Sequence, residues 1–331
     1  MAVYTEVSEA QACALLSELQ LGTLTSLKAC SDGIENTNYF ASTELEGQPH
    51  HYVLTLFERL TYAQLPFYLR LMHHLAQHGI PVPKPHANAT GDLVLQLQGK
   101  PAAVVDRLPG RSELHPGPAH CAQVGATLAR MHLAGRDFCL QQPHLRGLAW
   151  WNETASVVLP YLGDAQKALL QDELAYQNQL AATPDYASLP CGPIHADLFR
   201  DNAMFDTVSG TTVLSGFFDF YFAGVDTWLF DLAVCLNDWC IDPDDAAHLS
   251  AHAEAFLRAY SAVRPLHDAE RALLPALLRG AALRFWISRL WDFHLPRPAS
   301  VLQPRDPTHC ERILRERRLR QCRFNDLAGL S

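Results

Sequence analysis

The amino-acid sequence predicts an α+β protein with two lobes: a small N-terminal lobe made of an antiparallel sheet and one helix, and a larger, mainly helical C-terminal lobe. Strand-like runs dominate the first hundred residues, one amphipathic helix interrupts them, and helical periodicity dominates after about residue 106. We therefore expect the N-terminal lobe over residues 1–105, the C-terminal lobe over residues 106–331 and a short linker at about 104–110.

In the N-terminal lobe, strands are predicted where apolar runs lie between turn residues, in IENTNYFAST, GQPHHYVLTLFE and GDLVLQLQGKPAAVVDRL. The helix is predicted over residues 65–78, where apolar side chains recur at helical spacing. Pro66 suits the first turn, because its missing N–H has no intrahelical partner there, and Gly79 suits a left-handed residue after the last turn. The predicted order is strands, helix, strands.

The C-terminal lobe shows long helical patterns and few strands. Cys121, Val124, Leu128 and Met131 recur at helical spacing and mark one helix. The pattern from 244 to 292 is almost wholly helical. A proline-rich loop at about 296–307 precedes a last, basic helix, and the sequence contains no internal repeat.

The composition excludes several classes of function. A formal net charge of -9 disfavours a general affinity for polyanions, so we expect no nucleic-acid partner. The N-terminal segment lacks the basic and apolar regions of a signal peptide, and Arg279 and Arg284 interrupt the longest apolar stretch, so no membrane partner is expected. The nine cysteines are scattered without C-x-x-C spacing, as in reduced cytoplasmic proteins. The sequence does not predict an oligomeric state.

The segment CGPIHADLFRDNAMFD, residues 191–206, concentrates polar groups between apolar runs. It contains His195, Asp197 and Asn202, and the apolar, strand-like run LSGFFDFYF that follows carries a single carboxylate, Asp219, in its middle. A carboxylate buried in such a run needs a cation or a partner, and amide and carboxylate oxygens are ligands that Mg²⁺ takes. The spacing of HADLFRDN and the later FFDF fits a kinase catalytic loop followed by a metal-binding Asp. The motif predicts phosphoryl transfer from ATP.

With these motifs the sequence resembles the aminoglycoside phosphotransferase and choline kinase superfamily, whose fold is protein-kinase-like. The resemblance implies that ATP and Mg²⁺ are the cofactors. It implies that Asp197 is the catalytic base, that Asn202 and Asp219 hold the magnesium ion, and that His195 is structural. It also implies that Asp231, in DTWLFDLA, supports the catalytic loop through backbone hydrogen bonds.

Within the superfamily the sequence most resembles the bacterial homoserine kinases of this fold. The resemblance runs through GIENTNYF, YVLTLFE, LPFYLRLMHHLAQHGIPVPKP, VGATLARMHLAG, IHADLFRDNAMF, FDFYFAGVDTWLFDLAVCLNDWC and LLRGAALRFWISRLWD. The segments outside the catalytic loop are the informative ones, because the loop is shared by kinases that act on many alcohols. The resemblance implies ATP-dependent phosphorylation of the side-chain hydroxyl of L-homoserine to O-phospho-L-homoserine, on the route to threonine.

The nucleotide site departs from the pattern of the superfamily. Thr55 stands where the third strand usually places a Lys or Arg, and the helix at 65–78 contains no Asp or Glu to pair with it. Because both halves of the usual ion pair are missing, we expect a different phosphate clamp, with Arg59 or Lys28 in that role. The resemblance implies nucleotide contacts from Ser31, Gly33, Asn36, Asn38, Thr55, Val105 and Asp106.

An amino-acid acceptor needs a cation for its carboxylate, which Arg can bind in two-pronged geometry. Arg284 and Arg289 lie on a largely apolar helix, where an unpaired charge is costly, and are the candidates together with Tyr221. The alternative is that each arginine pairs with a neighbour such as Asp292.

Three other functions remain open from the residues. The first is a kinase of the same fold for another small alcohol, such as an aminoglycoside, choline or methylthioribose. The second is a metal-dependent hydrolase in which HAD supplies metal ligands, although no further set of ligands is apparent. The third is a nucleotide-binding module without activity, which Thr55 in place of the usual cation makes conceivable.

Overall fold

A computed structural model describes residues 5–30, 36–296 and 305–319. The chain divides into two compact units, Met1–Pro109 and Gly110–Ser331. The described part combines an antiparallel sheet in the first unit with a mainly helical second unit, which confirms the predicted α+β class. Within the described residues, no helix combines the length and the apolar character that a membrane crossing needs.

The first unit is built around a five-stranded antiparallel sheet with the strand order β1-β2-β3-β5-β4. Its elements are α1 (Glu9–Glu18), β1 (Thr23–Ala29), β2 (Thr37–Leu45), β3 (Gln48–Leu56), α2 (Leu65–Gln77), β4 (Leu95–Leu97) and β5 (Lys100–Asp106). Strand β2 buries every second residue over its first seven positions, which places one of its faces in the core. The core of this unit joins α1 to the sheet through Leu16, Tyr39, Leu54 and Val104.

The predicted helix is α2. Pro66 lies in its first turn, and Gly79, with φ of +74°, follows its C-terminus in the left-handed conformation. Helix α1 was not predicted, although its start carries a capping signal. The side chain of Ser8 accepts from the N–H of Gln11, and the side chain of Gln11 accepts from the N–H of Ser8.

In its described residues, the second unit is mainly helical, with four short strands in two separate pairs. Its helices are α3 (Pro118–Ala134), α4 (Leu148–Val158), α5 (Asp164–Ala181), α6 (Pro184–Ala187), α7 (Trp228–Trp239), α8 (Ser250–Val263), α9 (Asp268–His294) and α10 (Thr308–Leu319). Its strands are β6 (Cys191–Ile194), β7 (Ala203–Val208), β8 (Thr211–Phe217) and β9 (Gly224–Thr227). Strand β6 pairs with β9, and β7 with β8, both antiparallel.

These two strand pairs carry the polar motif. The loop of residues 195–202 joins β6 to β7, and residues 218–223 join β8 to β9. Asp219 was expected inside a strand-like run, and this expectation is wrong, because β8 ends at Phe217. Asp219 adopts a left-handed backbone conformation, with φ of +63° and ψ of 59°, which no strand residue has.

Candidate active site

The loop of residues 195–202 is folded by hydrogen bonds within itself. Ala196 has a φ of +65°, and this left-handed residue turns the chain directly before Asp197. The N–H of Asp197 donates to Nδ1 of His195 at 3.3 Å, and Nδ2 of Asn202 donates to the carbonyl of Asp197 at 2.8 Å. Since a carbonyl can only accept, Asn202 must use its Nδ2 here, which leaves its Oδ1 for another partner.

Asp231 holds the start of this loop from helix α7. Its Oδ2 accepts from the N–H of His195 at 2.9 Å, and its Oδ1 accepts from the N–H of Ala196 at 2.8 Å. Burial alone would raise the pKa of Asp231, but the hydrogen bonds from the His132 side chain and from the His195 backbone hold it below its ordinary value. The carboxylate is therefore charged, fully buried and committed to the loop backbone.

A second carboxylate on the same helix, Asp238, holds the end of the loop. Its Oδ2 accepts from the N–H of Arg200 at 2.7 Å and from Nε of Arg200 at 3.1 Å. In the middle of the loop, the carbonyl of Leu198 accepts from Nε1 of Trp239 at 3.0 Å. Asp231 and Asp238 are two helical turns apart on one face, and this spacing of seven is the sequence signal that could have identified Asp238.

His195 links the loop to the segment that carries Asp219. Its Nε2 donates to the carbonyl of Phe218 at 2.8 Å, while its Nδ1 accepts from the N–H of Asp197. The two partners fix one neutral tautomer, and burial lowers the pKa of His195, which keeps it neutral. The N–H of Phe218 also donates to the carbonyl of Asn202 at 3.0 Å. These contacts bring Asp197, Asn202 and the residue before Asp219 together.

A chain of buried side chains continues from Asp231 away from the loop. Nε2 of His132 donates to Asp231 at 3.1 Å, and burial lowers the pKa of His132, so that its Nδ1 accepts from the hydroxyl of Tyr260 at 2.7 Å. The Tyr260 oxygen accepts in turn from Nε of Arg264 at 2.8 Å. Arg264 forms a buried two-pronged ion pair with Glu270, with distances of 2.5 and 3.1 Å. From Arg264 through Tyr260 and His132, each of these hydrogen bonds is donated in the direction of Asp231.

Asp197 lies in a positively charged environment. Nη1 of Arg284, on α9, is 3.9 Å from its Oδ1, and the side chain of Asp197 is 17% exposed. Burial raises the pKa of Asp197 to about 6, and the positive charges of Arg284 and Arg289 oppose that rise. An unprotonated carboxylate at the surface of a braced loop can accept a proton from a bound hydroxyl group.

The three residues predicted to bind the acceptor alcohol occupy different surroundings. Arg284 is buried on α9, and its ion pair is with Asp197 rather than with Asp292 within the described contacts. Arg289, 1.4 turns further along α9, is partly exposed. Tyr221 follows Asp219 in a short 3-10 helix, and burial, then the negative charge of Asp219, raises the pKa of its hydroxyl group.

In the first unit, Thr55 and Asn38 face each other across β3 and β2, and the Thr55 hydroxyl donates to Oδ1 of Asn38 at 2.7 Å. Thr55 is buried. At the end of β5, Val105 is buried, and Asp106 contacts Nε2 of His86 at 2.7 Å. These residues are therefore held by sheet pairing and by side-chain hydrogen bonds.

Of the other predicted nucleotide residues, Asn36 is partly exposed immediately before β2, whereas Ser31 and Gly33 lie outside the described residues. Lys28, near the end of β1, and Arg59, shortly after β3, are both exposed.

The first unit also contains an ion pair that the sequence did not indicate. Lys100, at the start of β5, pairs with Glu58, which accepts further hydrogen bonds from the hydroxyls of Thr37 at 2.7 Å and Thr5 at 2.9 Å. Burial raises the pKa of Glu58, but these donors outweigh it and hold the pKa below its ordinary value. The cationic partner of Glu58 is thus a lysine on β5, the strand that pairs with β3. Sequence spacing alone could not relate this lysine to Glu58.

The residues that could hold a metal ion are Asn202 and Asp219. Among the described residues, no group of three or more His, Cys, Asp or Glu side chains could hold a metal ion. One amide and one carboxylate fit an ion that is completed by water and phosphate oxygens, as Mg²⁺ commonly is.

Known proteins match most of the chain. The sequence model of a family described as "phosphotransferase enzyme family" matches residues 26–274. A homoserine kinase of Polaromonas naphthalenivorans (strain CJ2) is 61% identical over 317 residues, which cover 96% of this chain and 98% of that protein. A homoserine kinase of Cupriavidus pinatubonensis (strain JMP 134) is 55% identical over 317 residues, with 96% of each chain covered.

Among solved structures, an amicoumacin kinase in complex with AMP-PNP and Ca²⁺ aligns with a TM-score of 0.67. The alignment covers 97% of this chain and 94% of that chain at 20% sequence identity. This likeness shows a shared fold.

Proposed function

The chain belongs to the phosphotransferase enzyme family, and we propose that it transfers the γ-phosphoryl group of ATP to the side-chain hydroxyl of L-homoserine. The products are O-phospho-L-homoserine and ADP. The observation that supports the reaction class is the loop of residues 195–202, which α7 braces at both ends and which presents Asp197. The choice of homoserine rests on the homoserine kinases to which most of the chain is similar.

In the proposed reaction, the hydroxyl oxygen of homoserine attacks the γ-phosphorus and forms the new P–O bond. The bond between the γ-phosphorus and the β,γ-bridging oxygen breaks, and its electron pair leaves with ADP. The hydroxyl proton passes to the Asp197 carboxylate. His195 and Asp231 do not touch the reacting atoms. They position the loop through its backbone.

The donor set of Asn202 and Asp219 fits Mg²⁺. The ion, when bound, would neutralise charge on the phosphate oxygens of ATP. The hydrogen bond from Nδ2 of Asn202 to the Asp197 carbonyl orients the amide, so that its Oδ1 can serve as a ligand. The left-handed backbone at Asp219 turns the chain after β8 and sets the position from which its side chain leaves.

Nucleotide binding is assigned to residues 1–105, and acceptor binding and catalysis to residues 106–331, with the linker at about 104–110. Thr55 is neutral and hydrogen-bonded to Asn38, so it supplies no positive charge to ATP phosphates. The proposal therefore keeps Lys28 or Arg59 as the phosphate clamp. It keeps nucleotide contacts from Ser31, Gly33, Asn36, Asn38, Thr55, Val105 and Asp106. A cytoplasmic location and a place in threonine biosynthesis complete the proposed function.

The deciding experiment measures ADP formation with ATP, Mg²⁺ and a panel of alcohols: L-homoserine, choline, an aminoglycoside and methylthioribose. We expect the highest kcat/KM with L-homoserine, and the mass of the product should increase by one phosphoryl group. A higher kcat/KM with any other alcohol would overturn the choice of substrate. An Asp197→Asn variant run in parallel should lose the activity if the loop is the catalytic site.

The same assay separates the other classes of function. A hydrolase would release free phosphate without needing an alcohol, and an inactive module would bind ATP but form no ADP with any acceptor. Either result would contradict the proposed kinase.

A further inference from the structure

The described part of the chain contains four buried arginines, and only one of them lacks full hydrogen bonding. The other three have partners: Arg264 with Glu270, Arg279 with Glu173 and Arg317 with Asn237. In Arg284 the side chain is 3% exposed, and its Nε has no hydrogen-bond partner in the described residues. A buried donor without an acceptor costs free energy, and a bound ligand that supplies an acceptor would remove that cost.

The ion pair of Arg284 does not satisfy the guanidinium group. Its distance to Asp197, 3.9 Å, exceeds that of a hydrogen bond and leaves the Arg284 donors available to another anion. The pKa of Arg284 is lowered to about 10, chiefly by burial; the negative charge of Asp197 opposes this shift, and the like charges of Arg146 and Arg289 contribute to it. The surroundings of Arg284 therefore carry more positive than negative charge and would favour a second carboxylate.

Aromatic rings hold the plane of the guanidinium group. Its carbon Cζ lies 3.8 Å from the ring centroid of Phe285 and 5.5 Å from that of Phe222. Contacts to the faces of the group leave its N–H edge free to pair with two oxygens of one carboxylate. The side chain is therefore pre-organised, which reduces the entropy lost when an anion binds.

We propose that Arg284 binds the carboxylate of the acceptor and makes the enzyme select an alcohol that carries a carboxylate. This inference rests on the proposed function, since it concerns the acceptor of that reaction. It assigns the role to Arg284 rather than to Arg289, which is partly exposed and has no ring stacked on its guanidinium in the described contacts.

The dimensions of homoserine fit this assignment. Four bonds separate its carboxyl carbon from its hydroxyl oxygen, a span of roughly 5 Å when extended, given C–C bonds of about 1.5 Å. With hydrogen bonds of about 2.8 Å at each end, the molecule can place its carboxylate on Arg284 and its hydroxyl on Asp197 at the same time. Arg284 would then recognise the carboxylate of homoserine while its hydroxyl group reacts at Asp197.

The test compares L-homoserine with 3-aminopropan-1-ol, which is homoserine with hydrogen in place of the carboxylate. The wild-type protein and the Arg284→Met variant are assayed for kcat/KM with both alcohols at saturating ATP. The preference ratio is kcat/KM for homoserine divided by kcat/KM for 3-aminopropan-1-ol. We expect this ratio to be at least about a hundredfold lower in the variant than in the wild type, because the apolar side chain cannot pair with a carboxylate. Any general effect on Asp197 acts on both alcohols and cancels in the ratio.

Arg271→Met is the matched control, since Arg271 lies in the first turn of the same helix and is 42% exposed in a pair with Asp268. Its preference ratio should equal that of the wild type. If Arg284→Met does not fold by circular dichroism, Arg284→Lys is used, which keeps the charge but loses the two-pronged pairing, and we expect a fall of about tenfold.

An unchanged preference ratio in the folded Arg284 variant would overturn the inference. Absence of homoserine phosphorylation in the wild-type protein would instead overturn the proposed function, so the two failures give different results. As a second measurement, calorimetry should detect homoserine binding to the wild type and at least about tenfold weaker binding to the variant.

Discussion

His132 and Asp231 form a hydrogen bond of 3.1 Å between two side chains that are both fully buried. Because Asp231 also accepts from two backbone N–H groups of the loop of residues 195–202, this bond connects the interior of the helical unit to the loop that presents Asp197. The stability of the interior and the geometry of the loop are therefore coupled.

Replacing Asp197 with Asn should lower kcat by about 10²- to 10⁴-fold, the usual contribution of a positioned base. The thermal unfolding midpoint should change little, because the one ion pair of this side chain within the described residues is the long contact to Arg284. Asp201→Asn is the control, since Asp201 lies on the same loop and pairs with exposed Arg305 at 3.0 Å. A variant that keeps wild-type kcat would show that Asp197 is not the base.

Replacing Asp231 with Ala should reduce the free energy of unfolding by about 3–5 kcal/mol, because it leaves buried donors of the loop and of His132 without an acceptor. Denaturation in urea measures this change, and kcat should fall as the loop loses its support. Asp268→Ala, at an exposed position, should change the free energy of unfolding by less than about 0.5 kcal/mol. Equal effects of the two substitutions would contradict the bracing role.

Replacing Tyr260 with Phe removes the hydroxyl between His132 and Arg264 without changing the size of the ring. We expect a loss of about 1–3 kcal/mol in the free energy of unfolding, since Nδ1 of His132 and Nε of Arg264 lose their hydrogen-bond partner in the interior. Tyr161→Phe, with 47% of the Tyr161 residue exposed, is the matched control and should be near neutral. If the Tyr260 variant is as stable as this control, the buried chain does not act as a network.

Replacing Asp219 with Asn should raise the Mg²⁺ concentration for half-maximal activity by at least about tenfold, because a neutral amide is a weaker ligand than a carboxylate. Removing divalent cations with a chelator should abolish activity in both proteins. Asp206→Asn, on β7, should keep the wild-type dependence on Mg²⁺. An unchanged Mg²⁺ dependence of the Asp219 variant would argue against the assigned ligand.

Replacing Lys28 or Arg59 with Ala tests the phosphate clamp. The variant of the residue that contacts ATP should show a KM for ATP raised by at least about fivefold, as expected for the loss of one charge-assisted contact. Arg70→Ala, at an exposed position on α2, serves as the control. If both variants keep the wild-type KM for ATP and the wild-type kcat, the clamp lies elsewhere.

The predicted fold class and the residues of the polar motif could be read from the sequence because they depend on local patterns. The α2 pattern and the spacing of Asp197 and Asn202 lie within single segments. The α+β class follows from where strand-like and helical patterns occur. The start of α1 was also readable from Ser8 and Gln11, but a ten-residue helix gave too weak a periodicity to indicate it.

The buried residues that continue from Asp231 could not be predicted in this way, because they come from separate elements that only packing brings together. His132 lies on α3, Tyr260 on α8 and Glu270 on α9, and no spacing in the sequence relates them. The end of β8 before Asp219 was missed for a different reason. The turn that follows β8 is as apolar in composition as the strand itself, so the composition does not show where the strand ends.

In the proposed function, α7 supports the catalytic loop and α9 selects the acceptor. Two carboxylates of α7 hold the loop that presents the proposed base, whereas the proposed selector of the acceptor lies on α9. Substitutions on α9 would therefore change the contacts to the acceptor without removing the hydrogen bonds by which α7 holds the loop. We therefore expect a library of variants confined to α9 to change the range of alcohols that the enzyme accepts.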